Sequence, residues 1–445
     1  MGDQSEETLQ PNPKRVSNAK FAIRALSHRN YRLFFAGQGI SLIGTWMQQT
    51  AIGWVVYEIT GSAKRLGLIS FAGLAPMFVL SPFAGVLIDR WNRLRILKVT
   101  QTLSLLQAFV IAILAFTHQI TVWRLFGLAL FLGTVNAVDM PTRQAFVVDM
   151  LEDRRDLPNA VALNSSMFNG ARLIGPVGAG LLMAYVGTGW CFTLNGISFV
   201  AVLMALMAMR IRPRETAARN GPILRELREG LRYSWESRSI RAVLILRGLV
   251  GMVGMPYITF LPIFARDILH GGPSTLGILS ASVGVGALVG AFSLAGRRDT
   301  RGLSRVVGTA AIIFGVGVIA FSTAHYWVPP HVIRVHFQVM HLVIALSFTR
   351  LLVVSMLLMA VCGYGMMTQM ASSNTYLQTV VHDDKRGRVM SLFTVAFAGT
   401  KPIGDLSEGY IAQLLGAPLT LAGGGLISIF GAIGYLIHMR ERKQL

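Results

Sequence analysis

Apolar residues run along the chain in blocks of about twenty, the length of helix needed to cross the hydrocarbon core of a bilayer. Such blocks fall at 33–57, 66–88, 96–116, 124–142, 160–186 and 190–209. They resume at 242–264, 273–295, 303–323, 346–370, 389–415 and 419–439, after a polar stretch at 210–241. The pattern predicts an all-α integral membrane protein with twelve transmembrane helices in two six-helix bundles. It divides the chain into a tail (1–32), a first bundle (33–209), a linker (210–241), a second bundle (242–439) and a short tail (440–445). Within the linker, Leu224, Leu227, Leu231 and Trp235 recur at helical spacing among Arg225, Arg228 and Arg232, behind Pro222. That is an amphipathic helix suited to an anionic membrane surface.

Charge tests the span count independently. The chain is 53% hydrophobic and 14% charged, with a net charge of +20. Soluble domains carry about 25% charged residues, so long uncharged stretches argue against a nucleic-acid surface. If both ends are cytoplasmic, the loops on that side hold 32 of the 41 Lys and Arg, and the opposite loops hold 6. Cytoplasmic loops of membrane proteins are enriched in such cations, so the +20 reads as an orientation signal. Residues 1–31 hold no apolar core of signal-peptide length. The first span is therefore its own membrane signal, and a bacterial inner membrane is the expected location. Cys191 and Cys362 lie in apolar runs and read as packed thiols.

Two segments half a chain apart share a pattern. Glu152-Asp153-Arg154-Arg155 recurs as Asp383-Asp384-Lys385-Arg386, and Pro176-x-Gly178 as Pro402-x-Gly404. Gly180 and Gly187 recur as Gly409 and Gly416. A repeat of six spans predicts pseudo-symmetric halves with a site between them, as one large class of transporters is built.

Span 2 closes with Gly85-Val-Leu-Ile-Asp89-Arg90, followed by Arg93 and Arg95. Gly85 and Asp89 share a helical face, the glycine admitting a close neighbour and the carboxylate accepting from a cation or a helix N-terminus. This loop resembles the signature of the major facilitator superfamily. The resemblance extends through Ser41-Leu-Ile-Gly44-Thr45-Trp46, Val56-Tyr57-Glu58, Asp139-Met-Pro141-Thr-Arg143, Asn159-Ala160 and Arg386-Gly387-Arg388. It points to the branch of enterobactin-type siderophore exporters and macrolide and drug efflux proteins. The resemblance implies the facilitator fold, with Gly85, Asp89, Arg90 and Arg93 as a cytoplasmic gate. The second half keeps Arg297 and Arg298 after Gly290 but lacks the aspartate. Gly175, Pro176 and Gly180 are similar to the Gly-Pro motif of the superfamily's antiporters, which implies export.

Charges inside spans cost at least a few kcal/mol unless paired or hydrated. Lys401, Asp405 and Glu408 stand four and three residues apart on one face of span 11. Two carboxylates sharing one lysine leave one of them to take protons near neutral pH, which a proton-coupled antiporter needs; the alternative is a structural ion pair near a helix end. Ser165, Asn169 and Arg172 form a stripe leading to Pro176, and Arg172 is expected either to bind an anionic substrate or to partner Asp405 or Glu408. Arg247, a few residues into span 7, is expected to snorkel to the surface. Trp46 and Gln49 share a face of span 1 with Thr50, Gly53 and Tyr57 and are candidates to line the path. Residues 324–345 read as an interfacial insertion on the outer side. Its His325, His331, His336 and His341 are too widely spaced for a metal site.

A phosphate-cradling Gly-x4-Gly-Lys-Ser/Thr loop is absent, so an ion gradient is the expected energy source. The sequence reads as a monomeric, cofactor-free secondary transporter, not an enzyme. It would export a small organic molecule by alternating access with protons as the counter-substrate. Lipid flipping and metabolite uptake are the alternatives, and behind them a non-transporting sensor or scaffold or a membrane enzyme.

Overall fold

A computed structural model describes residues 24–211, 223–297, 302–328, 332–339 and 342–440. The first six long helices are α1 (Arg29–Thr60), α2 (Ala63–Arg90), α3 (Arg93–Phe116), α4 (Val122–Phe146), α5 (Leu157–Tyr185) and α6 (Thr188–Ala208). A linker helix, Ile223–Glu236, follows. Then come α7 (Arg238–Ile268), α8 (Pro273–Ala295), α9 (Leu303–Trp327) and α10 (Arg350–Val380). The last two are α11, in two pieces (Asp383–Ala398 and Thr400–Leu415), and α12 (Ala417–Arg440). By length and composition nine of these are apolar enough to cross a membrane. The other three are α1, α5 and α11, of which α11 is broken into two pieces of 16 residues each, and the polar residues of the site lie largely on them.

The linker helix forms where its leucines and arginines alternate at helical spacing. Leu231 and Trp235, one turn apart, stay exposed. Arg388 at the start of α11 binds Glu229 at 2.8 Å, which fixes the helix to that end of the bundle. We call this the linker end. The opposite end carries an antiparallel hairpin of β1 (Val332–Val339) and β2 (Leu342–Thr349), between α9 and α10. The expected insertion is thus a hairpin, an addition to an otherwise helical fold. His331 and His341 lie outside the described residues.

The helix contacts of the first half recur in the second. Helix α1 packs on α5 and α6, α2 on α4, and α3 on α4 and α6; α7 to α12 repeat these pairings. Glycine contacts give the register. Gly133 of α4 meets the carbonyl of Gly73, and Gly363 of α10 meets that of Val283. Gly175 of α5 meets the carbonyl of Ile43, and Gly404 of α11 meets that of Met252. Helix α11 therefore follows α5 at an offset of 229 residues, as 175 to 404 and 180 to 409 both give. Gly187 and Gly416, which end α5 and α11, both have left-handed φ, +94° and +86°, where a side chain would be strained. The Pro176–Pro402 match of the sequence is out of register by three residues. Pro176 is matched in space by Asp405, and Arg172 by Lys401.

The halves meet at two crossings related by the same pseudo-symmetry. A Cβ on Gly180 of α5 would lie 3.1 Å from the Cα of Gly277 in α8. One on Gly409 of α11 would lie 3.2 Å from the Cα of Gly67 in α2. Both crossings lie toward the hairpin end. Further bonds join the halves there: Ser62 Oγ donates to Gln413 Oε1 at 2.7 Å, and the Tyr57 hydroxyl donates to Asp267. Arg266 donates to the carbonyls of Tyr57 and Glu58, both at 3.3 Å.

Candidate functional site

Close approach of α2 to α11 at Gly67 and Gly409 brings polar side chains of both halves within bonding range. Asp405, fully buried, is the hub. Lys401, one turn earlier on α11, donates to its Oδ2 at 2.5 Å. Ser70 of α2, in the other half, donates to the same oxygen at 2.5 Å, and Thr259 of α7 to Oδ1 at 3.0 Å. Lys401 Nζ also lies 3.5 Å from Thr259 Oγ1. The one cation thus goes to Asp405. Glu408 is buried, turned toward Gly424 of α12, and its Oε2 has no partner among the described residues.

Arg172 stands apart from these carboxylates. It extends from α5 over the ring of Trp46, 5.8 Å from its centroid, and its Nη2 lies 3.9 Å from the sulfur of Met366 in α10. The hydroxyl of Tyr257 in α7 reaches the same sulfur at 3.9 Å. Trp46 in turn packs edge-on against Phe168 at 5.7 Å. Arg172 is half-buried at the seam between the halves, and no carboxylate pairs with it among the described residues. The expected partnership with Asp405 or Glu408 is corrected accordingly, because Lys401 already occupies Asp405. Asn169, one turn nearer the linker end, donates to the carbonyl of Ser165 at 2.8 Å; Ser165 and Gln49 are exposed. The single cavity expected from the sequence therefore resolves into an aromatic-guanidinium group and a Lys-Asp group, with α7 between them. Gly175 and Pro176 are buried, Gly175 against the backbone of α1 at Ile43.

At the linker end, Gly85 and Asp89 lie in the last turns of α2, their side-chain surroundings outside the described residues. Arg90 is exposed. Arg93 donates to Asp149 at 3.0 Å and to the carbonyl of Ala145 at 3.1 Å, tying α3 to the end of α4.

Arg247 does not snorkel. It is 1% exposed, donates to Gln369 of α10 at 3.0 Å, and stacks 3.9 Å from the ring centroid of Phe397 on α11. Here α7 loosens into a π-helical turn, Val250–Gly254, ahead of Pro256, and the second half closes over the guanidinium. Ser70 and Thr259 were not legible as site residues, since a lone hydroxyl in a span has no sequence signature. A neutral network in the first half was likewise missed: Asn195 donates to Gln48 at 2.8 Å and Gln48 to Gln107 at 3.1 Å, all buried. Three amides in apolar spans were the available signal. Asp139, also buried, accepts from Thr100 at 2.7 Å, Gln101 at 2.8 Å and Arg143.

The family described as transmembrane secretion effectors matches residues 21–336 and 329–445. The chain is 25% identical to the staphyloferrin A transporter of Staphylococcus aureus over 421 residues, covering 93% of this chain and 98% of that one. It is 28% identical to macrolide efflux protein A of Streptococcus pyogenes over 281 residues, covering 60% and 67% of the two chains. Among solved structures it resembles a bacterial homologue of the human lysosomal transporter Spinster, with a TM-score of 0.68 at 15% identity over 93% of this chain and 97% of that chain. A peptide-bound transporter of the POT family gives a TM-score of 0.71 at 11% identity, over 93% and 96%. Both likenesses concern the fold. With the family matched over nearly its whole length and the twelve helices paired as two repeats, the chain belongs to the transmembrane secretion effectors, a siderophore- and drug-exporter branch of the major facilitator superfamily.

Proposed function

We propose that this transporter exports a small organic molecule, of the siderophore or macrolide kind its relatives are named for, and that protons moving inward drive the export. The linker end, with both termini, faces the cytoplasm, as the concentration of cations in its loops supports. The contacts at the hairpin end then seal the outside, and the geometry described is the state open to the cytoplasm. Gly85, Asp89, Arg90 and Arg93 would close the cytoplasmic side in the opposite state.

One observation carries the coupling: Asp405 is held by Lys401 of its own helix and by Ser70 of the other half. A carboxylate so placed links protonation to the separation of the halves. With the outside sealed, Asp405 is ionised and its charge is balanced by Lys401. When the outside opens, Ser70 withdraws, Asp405 takes a proton from that side, and the exported molecule leaves. Resealing restores the Lys401 bond and sends the proton to the cytoplasm. Glu408, buried one turn further on, is the adjoining proton acceptor.

The test is transport of labelled staphyloferrin A and a labelled macrolide into everted vesicles with an imposed proton gradient. Native protein accumulates at least one probe and releases protons as it does. Asp405→Asn loses uphill accumulation but keeps downhill exchange. Uphill accumulation by Asp405→Asn, with Glu408→Gln equally active, sinks the coupling assignment.

A further inference from the structure

We propose that Arg172 is an anion-binding position and that the exported molecule carries a carboxylate, which pairs with this guanidinium while the organic body of the molecule lies against Trp46. The inference deepens the export reading by naming a substrate class, and rests on that reading for the meaning of the site.

Helix α11 follows α5 at an offset of 229, so Lys401 and Arg172 are the same position in the two halves, and Asp405 and Pro176 are the next position one turn on. In the second half the cation is neutralised within its own helix, by a carboxylate 2.5 Å away. In the first half the proline that replaces that carboxylate leaves the guanidinium without an anion among the described residues. What it touches is a sulfur at 3.9 Å and an indole face at 5.8 Å. Neither balances its charge, and an uncompensated cation within the membrane is costly. Arg172 is also reachable: it is half-buried at the seam, while Arg247 in the second half's interior is sealed at 1% exposure.

Residue type narrows the ligand. Guanidinium presents parallel N–H donors that match the two oxygens of a carboxylate. Trp46 and Phe168, edge to face at 5.7 Å, supply an apolar wall for the body of the molecule. Asn169 and Ser165, leading away toward the linker end, offer hydrogen bonds to hydroxyl or amide groups along it. A hydroxylated or aromatic organic acid fits this set. A purely cationic molecule does not, because it would meet Arg172 at the seam.

Binding to purified full-length protein tests the proposal without reference to energy coupling. The probes are a panel of aromatic and hydroxy-carboxylic acids, each beside its methyl ester, followed by equilibrium dialysis. Native protein is expected to bind acids and to prefer each bound acid over its ester by about tenfold or more. Arg172→Gln removes that preference. Pro176→Asp, which rebuilds in α5 the pairing of Lys401 with Asp405, occupies Arg172 from within and weakens acid binding by a similar factor. The spacing between α5 and α8 there matches that between α11 and α2, where Asp405 is already accommodated; should Pro176→Asp misfold, Arg172→Gln and Arg172→Lys carry the test alone. The proposal is overturned if the native protein binds no acid, binds esters as well as acids, or if Arg172→Gln binds acids as the native protein does. Failure of proton coupling would instead appear only in the vesicles and would leave acid binding intact.

Discussion

Gly277→Ala offers a direct way to weigh the closure of the hairpin end. A methyl group at this position of α8 would lie 2.6 Å from the carbonyl oxygen of Pro176 and 3.1 Å from the Cα of Gly180. Both are backbone atoms, so no side chain can turn away, and the helices must part by about 0.8 Å to restore ordinary contact. Overpacking of this kind costs about 1–3 kcal/mol. If the crossing exists only while the hairpin end is sealed, that cost falls on the sealed state alone. The ratio of sealed to open molecules then drops by about 5- to 150-fold. Ser62→Cys with Gln413→Cys reports the ratio, because the native side chains lie 2.7 Å apart across the halves. The native thiols Cys191 and Cys362 are buried and contribute little background. A short cross-linker with two thiol-reactive ends should join the introduced pair efficiently in the parent and several-fold more slowly with Gly277→Ala added. An unchanged cross-linking rate in a folded Gly277→Ala protein would mean that the crossing survives opening, and that α5 and α8 move as one body.

Two further changes probe the second half and the linker end. Gln369→Leu should lower the melting temperature in detergent more than the double change Arg247→Met with Gln369→Leu, because the single variant strands a buried guanidinium whereas the double one removes it; the reverse order would refute this account of Arg247. Arg93→Ala and Asp149→Ala should each loosen the linker end, and a double-mutant cycle on unfolding should give a coupling of about 1 kcal/mol, which a part-buried pair can supply. A coupling of zero would reduce the bond to a surface contact.

The twelve spans and the amphipathic linker helix were legible because both rest on periodicity, which needs no knowledge of neighbours. The pairing of Lys401 with Asp405 was legible for the same reason, being set by one turn of helix. What depends on a second element was not. Ser70 and Thr259 reach Asp405 only because Gly67 and Gly409 let α2 and α11 touch. Arg247 was misplaced because depth was judged from its distance along the chain, while the π-helical turn and Phe397 cover it from the side. The repeat was detectable, but matching prolines set its register three residues off. Backbone contacts of small residues, invisible in composition, correct it and bring Arg172 onto Lys401.

The uncharged network of Gln48, Gln107 and Asn195 bears on how labour is divided between the halves. These amides donate and accept without exchanging protons, so acidifying either compartment leaves their bonds across α1, α3 and α6 as they were. The matching interior of the second half rests instead on the ammonium of Lys401, the guanidinium of Arg247 and two carboxylates. If protons drive the export as proposed, the charged cluster of the second half changes its electrostatics with each proton while this amide network of the first half does not. The duplicated fold would then pair a network indifferent to protons in one half with a titrating cluster in the other.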